Sequence, residues 1–321
     1  MPALDRRAVR VAVIGVGSLG QHHARIYASL EEARLQAVVD TDAARAAAIA
    51  ARHGVPALAS HRDLPPDLDA VSVAVPTSAH APIVTACLER GLAVLVEKPM
   101  APTLAEAASM ARAAANAGKP LCVGHTERFN PIVRAARQRV HDPRFIETHR
   151  LGAFTARGTD VDVVLDLMIH DLDVILSLVP SRISSIDSVG VHALTDKVDI
   201  ANARIRFENG CVANVTASRI STERVRKLRV FESDSYLSID YARQEAVICT
   251  LRRSAGAPPE IVRESIVAEN EEPLQAELRA FLRRVRGEEV AVVTAEEGLR
   301  ALETALRVAE QIASSARQAR G

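Results

Sequence analysis

A strand that ends in glycines constrains this chain more than any other feature. Residues 9–14, Val-Arg-Val-Ala-Val-Ile, read as a buried strand, with an apolar run from Val11 to Ile14. Gly15-Val16-Gly17-Ser18-Leu19-Gly20 follows at once and opens onto a helical stretch. In that setting the first glycine permits a tight turn, the second lets a pyrophosphate approach the backbone, and the third lets helix and strand pack closely. The helix N-terminus then faces an anion with free N–H groups and the positive end of its dipole. Asp40 closes the second strand, 20 residues after Gly20. A carboxylate there accepts hydrogen bonds from the adenosine ribose and repels a 2′-phosphate. Thr41 and Asp42, not an arginine, come next. The spacing therefore predicts NAD rather than NADP, held by Gly15, Gly17, Ser18, Leu19, Gly20 and Asp40.

The pattern around this turn repeats strand and helix. Strands are expected at 9–14, 35–39, 70–75, 93–96 and 120–123, with helices at 19–32, 42–53, 79–90 and 104–117. Continuous apolar strands with helices between them predict a parallel sheet covered on both faces. After residue 124 the texture changes. Helices are expected at 131–140 and 162–179. From Ile183 onward the strands lengthen and alternate, at 201–207, 211–218, 228–232, 236–240 and 246–251, and Asn209-Gly210 marks a hairpin. Helices at 273–286 and 295–315 close the chain, the second capped by Thr294 with Glu297 three residues on. The expected fold is an α/β Rossmann domain, residues 1–123, followed by an α+β domain with an open, mostly antiparallel sheet, residues 124–321. Helices within 273–318 are expected to pack back on the body.

Composition narrows the function. Lys+Arg and Asp+Glu both number 40, so there is no basic surplus for nucleic acid or an anionic membrane. Aromatic residues make up 3%, with no Trp, which leaves few platforms for base stacking. No apolar stretch approaches the ~20 residues of a membrane span, and the N-terminus lacks the pattern of a signal peptide. Cys87, Cys122, Cys211 and Cys249 are scattered in apolar surroundings. They predict buried small hydrophobes rather than a metal site or a disulfide framework. A soluble cytoplasmic protein without a metal is expected.

Several further motifs carry chemistry. Pro76-Thr77 and His80 follow the third long strand. Glu97-Lys98-Pro99 follows the next, where ligands of open α/β sheets bind. Gly124-His125 ends the last strand of the first domain, and Glu127-Arg128-Phe129-Asn130-Pro131 opens the second. Asp166 and His170 lie four apart and share one helical face. A histidine titrates near neutrality and suits a general base. The residues around this pair, Leu165, Leu167, Met168 and Ile169, are apolar, and a polar pair in a buried helix needs a reason. Asn130-Pro131 also reads as a helix start, and His22 and His23 as packing or support.

In their order these motifs resemble the Gfo/Idh/MocA family of nicotinamide-dependent sugar and cyclitol oxidoreductases, over essentially the whole chain. The resemblance implies that Lys98 contacts both nicotinamide ribose and substrate and helps relay the proton, with a cis Lys98–Pro99 peptide. It makes Lys98, His170 and Asp166 the catalytic candidates, with Pro76, Thr77, His80, Glu97, Lys98 and His125 added to the cofactor site. Met168 stands where the family usually has a small residue. Lys98, Glu127, Arg128, Asn130, Arg157 and His170 are the candidate substrate contacts, and Arg219 is a further candidate for a diphosphate. The wording of residues 124–131 and 166–173 resembles the branch that includes UDP-N-acetylglucosamine 3-dehydrogenases. A nucleotide sugar is thus the expected substrate, with another sugar, a sugar phosphate or inositol as the alternative. A non-catalytic dinucleotide-binding regulator is the alternative of another class, and Lys98, Asp166 and His170 together argue against it. The family's open sheet often forms its oligomer interface, which implies a homodimer or homotetramer.

Overall fold

A computed structural model describes residues 7–154, 162–254 and 258–318. Contacts divide the chain into two units, residues 1–126 with 272–299, and residues 127–271 with 300–321.

The first unit is built on strands β1 (Val9–Ile14), β2 (Ala33–Val39), β3 (Ala57–Leu58), β4 (Ala70–Val73), β5 (Ala93–Glu97) and β6 (Leu121–Gly124). Their order is β3-β2-β1-β4-β5-β6, and every neighbouring pair is parallel. The crossovers carry α1 (Gly20–Ser29), α2 (Ala43–His53), α3 (His80–Glu89) and α4 (Leu104–Ala117). Helix ends follow local chemistry. Asp42 accepts from Arg45 N at the start of α2, Thr103 accepts from Glu106 N at the start of α4, and Gly54 and Gly118 end these helices in the left-handed conformation. All residues of β4 and β5 are buried, which is why they read as apolar runs interrupted only by Ser72 and Glu97. The strand order reverses between β1 and β4. That is the switch point where an open α/β sheet leaves a crevice at the carboxyl ends of its strands.

The second unit begins with α5 (Pro131–Arg137) and β7 (Phe145–Leu151). A π-helical turn, Val164–Met168, then runs into α6 (Ile169–Leu178). Strands β8 (Ile183–Val191), β9 (Ile200–Phe207), β10 (Val212–Ser218), β11 (Val225–Phe231), β12 (Ser235–Asp240), β13 (Glu245–Arg252) and β14 (Glu260–Ile266) complete the sheet. The order is β14-β13-β12-β11-β7-β10-β9-β8. Only β7 and β10 pair parallel; their other neighbours run antiparallel. One face is packed, with Ile146, Leu228, Val230, Leu237 and Ile239 joining Met168, Ile169 and Leu172 in one core.

The closing helices, α7 (Pro273–Val285) and α8 (Ala295–Gln318), divide differently from the expectation of a single domain from residue 124. On α7, Leu278, Phe281 and Leu282 are fully buried with Val9, Val11, Ile26, Tyr27 and Leu95 of the first unit. On α8, Ala301, Ala305, Val308 and Ile312 join the core of the second. The Thr294–Glu297 capping box is present. Thr294 N donates to Glu297 Oε2 at 2.9 Å, and Glu297 N donates to Thr294 Oγ1 at 3.2 Å. Among the described residues no helix is long and apolar enough to cross a membrane, and none are grouped to hold a metal ion. The four cysteines are unpaired, with Cys87, Cys122 and Cys211 buried.

Candidate active site

The glycine turn lies at the switch point of the first sheet. Gly15 has φ +83°, and a Cβ on it would sit 2.6 Å from Ala74 O. A side chain on Gly20 would run into the carbonyl of Gly15. By contrast a Cβ on Gly17 meets only Arg45 Nη1, at 4.0 Å. The first and third glycines are therefore required by the protein's own packing. The second leaves open space, as close approach of a ligand needs.

That space belongs to a cavity of about 620 Å³ lined by Gly15, Gly17, Ser18, Leu19, Asp40 and Pro76, together with Thr41, Arg45, Ser60, His61, Ala79 and Ile83. Its size is ordinary for a cofactor site. Asp40 is buried at its rim. It accepts from Val16 N and Asp42 N, both at 2.9 Å, so the same carboxylate that would meet a ribose also holds the glycine turn in shape. Arg45 Nη1 lies 3.3 Å from both Asp40 oxygens, and Nη2 donates to Asp42 at 2.9 Å. Arg45 was not among the residues singled out by sequence; its only signal is its place in the first turn of the helix that follows Asp40. The residues present fit NAD: a glycine turn with room over Gly17, a helix N-terminus and a carboxylate at the end of β2.

Pro76 lines the cavity, whereas Thr77, His80, Glu97, Lys98 and His125 are not among its lining residues. His80 is buried as a brace. Its Nε2 is 2.9 Å from Val75 O and its Nδ1 is 3.2 Å from Pro99 O and Met100 O. It thereby ties the segment after β4 to the segment after β5. Burial pushes its pKa down. Lys98 is half-buried just past β5, and its peptide to Pro99 is cis. The neighbouring Glu97 is buried and accepts from His23 Nε2 at 3.0 Å. Burial pushes the Glu97 carboxyl up, but the hydrogen bond and charge of His23 and the charge of Lys98 bring it below its ordinary value. His23 therefore supports Glu97. His125 is buried at the end of β6, its N–H donating to Val123 O at 2.8 Å.

In the second unit, Asp166 sits in the π-helical turn and His170 in the first turn of α6. Asp162 starts this stretch, its carboxylate accepting from Val164 N at 2.8 Å and Leu165 N at 3.0 Å. π-Helical turns concentrate at functional positions. The sequence pattern gave one continuous helix over 162–179 and no sign of the extra residue in the turn.

Around His170 the charged residues are committed to one another. Arg150 on β7 donates to both oxygens of Asp171, at 2.8 and 2.9 Å, and to Glu127 at 2.9 Å. Arg128 donates to both oxygens of Asp173, at 2.8 and 2.9 Å. Burial opposes the charge of Arg150, but Asp171 and Glu127 outweigh it and hold the guanidinium charged. Glu127 and Arg128, candidates for a sugar or phosphate, thus each have a carboxylate or guanidinium partner inside the protein. Asn130 caps α5, accepting from Ile132 N at 3.2 Å. Arg219 is buried with its Nε 3.9 Å from Asp199. Arg157 lies outside the described residues. A second cavity of about 730 Å³, among Arg182, Arg300 and Arg307, holds none of the candidate residues.

Comparison with known proteins agrees with this geometry. Residues 9–125 match the Gfo/Idh/MocA oxidoreductase family, described as an NAD-binding Rossmann fold, and residues 133–237 match its C-terminal domain. A UDP-N-acetylglucosamine 3-dehydrogenase of Acidithiobacillus ferrooxidans is 37% identical over 94% of this chain and 96% of its own. A solved structure of that enzyme superposes with a TM-score of 0.88 at 35% identity, covering 95% of this chain and 98% of its own. The NAD(+)-dependent scyllo-inositol 2-dehydrogenase of Bacillus subtilis (strain 168) is 30% identical over 66% of this chain and 68% of its own. The Rossmann unit with its NAD site, the open second sheet and these likenesses together place the chain in the Gfo/Idh/MocA family of NAD-dependent oxidoreductases.

Proposed function

We propose that this chain oxidises the 3-hydroxyl of UDP-N-acetylglucosamine to a 3-keto sugar, with NAD as acceptor. The observation that carries the substrate is that the likeness to the Acidithiobacillus ferrooxidans enzyme runs through both units, not through the Rossmann unit alone. The observation that carries the reaction is the company Lys98 keeps. It follows β5, beside the buried Glu97, in the unit that carries the glycine turn.

Oxidising a carbinol requires a base for the hydroxyl proton and a fixed approach of the carbon to the acceptor. Bound NAD supplies the hydride acceptor. Gly17 and the N-terminus of α1 hold its pyrophosphate, and Asp40 its adenosine ribose. Lys98 binds and orients the reacting hydroxyl. His170 takes the proton, and Asp166, on the same helical face, orients the imidazole and stabilises it when charged. The protein acts as a homo-oligomer through the outer face of the second sheet. In support, Phe145, Phe231 and Tyr236 form a half-buried aromatic cluster there, with ring centroids 5.6 and 4.9 Å apart.

The test is to mix the purified protein with NAD and, separately, UDP-N-acetylglucosamine, myo-inositol and simple sugars. Reduced nicotinamide is followed by fluorescence, and mass spectrometry looks for a product two hydrogens lighter. Turnover of the nucleotide sugar that falls at least ~100-fold in both Lys98→Met and His170→Ala is the expected result. Turnover confined to a free sugar or a cyclitol overturns the substrate; NAD binding without turnover of anything overturns the reaction.

A further inference from the structure

The residues guessed from sequence for a diphosphate turn out to be paired, buried or outside the described residues. A different row of donors stands on the packed face of the second sheet. In the antiparallel pair β7–β11, Arg226 lies directly opposite Arg150. One strand further, Tyr241 N donates to Arg226 O at 3.0 Å, which continues the β11–β12 register. Alternation puts all three side chains on one face. On β7 the buried positions are Ile146, Thr148 and Arg150; on β11 Leu228 and Val230 are buried on the side of Arg226; on β12 Leu237 and Ile239 are buried on the side of Tyr241.

Two like charges directly opposite each other destabilise an antiparallel pair. For Arg150 the compensation is present, because Asp171 and Glu127 accept its hydrogen bonds. Arg226 is half-buried in the same field, and its guanidinium makes no hydrogen bond or ion pair with any described residue. Arg224, exposed two residues before it, adds a further positive charge nearby. Burial and the two neighbouring arginines push the Arg226 pKa down, although Glu127 and Asp171 partly offset them. Tyr241 supplies a second, independent observation. The residue is 4% exposed, yet its hydroxyl has no partner among the described residues. The ring packs against the Arg150 guanidinium, 5.6 Å from Cζ to the ring centroid. Burial and the Asp171 charge raise this phenol well above its ordinary value, so it stays a donor. A half-buried guanidinium and a buried phenol, both with unused N–H or O–H groups and set side by side, lack only an acceptor that carries negative charge.

We propose that Arg226 and Tyr241 form an anion subsite that takes the diphosphate of a nucleotide-linked substrate. The proposal deepens the nucleotide-sugar reading and rests on it for the identity of the substrate. A guanidinium fork matches two phosphoryl oxygens at once, as lysine cannot. Asp171, which holds Arg150 in this row, directly follows His170, so the subsite is tied through that ion pair to the helix that carries the proposed base.

The test uses the NAD-saturated protein, so that the glycine turn is already filled. Binding of inorganic pyrophosphate and of UDP is measured by calorimetry for wild type, Arg226→Gln, Arg226→Lys and Tyr241→Phe. Arg226→Gln is expected to weaken both ligands about 10- to 100-fold, Arg226→Lys less, and Tyr241→Phe several-fold, with NAD affinity unchanged. Partial rescue by lysine, with melting temperatures near wild type, separates the subsite from a folding defect. Equal affinity of wild type and Arg226→Gln for pyrophosphate and UDP overturns the proposal, as does a wild type that binds neither at millimolar concentration. If Arg226-dependent pyrophosphate binding is seen but UDP-N-acetylglucosamine is not oxidised, the subsite stands and the substrate reading falls.

Discussion

The dinucleotide cavity of the first unit and the charged cluster of the second use polar residues in opposite ways. At the cavity the backbone turns away from its own partners. Gly17 faces open space, and Asp40 keeps its carboxylate at the rim while holding Val16 N. In the second unit Glu127, Arg128, Arg150, Asp171 and Asp173 satisfy one another. Two of the five, Glu127 and Arg128, read as ligand contacts in the sequence, because polar residues crowded at the start of the second domain suggest a binding site. The structure separates those that present a polar group to a void from those that neutralise each other inside a core. The first kind governs affinity and the second governs stability.

That separation yields four expectations. The largest effect belongs to Arg150→Met, which leaves Asp171 and Glu127 without their shared cation. Removing one partner of a buried ion pair costs about 3–5 kcal/mol, so the variant should melt many degrees lower. If its melting temperature is unchanged while NAD affinity drops, the comparison is broken. Next is Asp40→Ala, expected to weaken NAD about 10- to 100-fold, as loss of hydrogen bonds to a charged group does. Calorimetry with NAD and a thermal melt on the same sample decide it, and the melting loss should be smaller than for Arg150→Met. Third comes acid stability. Glu97 is held below its ordinary value in the folded state. Its contribution is therefore complete above the unfolded carboxyl pKa of about 4.3 and is lost as pH falls through the lower folded value. In His23→Leu the hydrogen bond and charge that lower it are gone, so the melting temperature should depend less on pH below about 5 than in wild type. A slope as steep as wild type's assigns the acid sensitivity to other carboxylates. The smallest effect is that of Arg45→Ala. With Arg45 beside it, the charge of Asp40 is partly offset toward a 2′-phosphate. Removing an exposed arginine should raise the preference for NAD over NADP about two- to five-fold and leave the melt within about 0.5 kcal/mol.

Much of the first unit was legible in the sequence, because parallel strands buried on both faces announce themselves as apolar runs and the glycine turn tells the chain where to bend. The second unit was less so. Strand β7, Phe-Ile-Glu-Thr-His-Arg-Leu, was missed. One of its buried positions is Arg150, which spoils the apolar alternation, and it is tolerated because Asp171, 21 residues later, neutralises it. Strand β14 was missed for another reason. It is an edge strand with charged residues at Glu260, Arg263 and Glu264, half-buried Val262 and Ile266, and an exposed Ile261, so no buried stripe marks it. Helix α7 was recognised, but amphipathicity shows only that one face is buried, not which sheet buries it. For the candidate site, the positions of Lys98, Asp166 and His170 were readable as motifs. The pairing of Arg128 with Asp173 was not, since nothing local connects residues 45 apart.

The buried face of α7 bears on how this protein is made. The last strand of the Rossmann sheet ends at Gly124, yet Leu278, Phe281 and Leu282 belong to the same apolar cluster as β1 and α1. During synthesis, at ~5–20 residues per second, the nascent sheet must stand on the order of ten seconds or more with that flank bare before the helix emerges from the ribosome. The nucleotide-binding unit thus starts ahead of the second unit and is completed only after most of it, a window in which a chaperone or a premature stop would decide the fate of the chain.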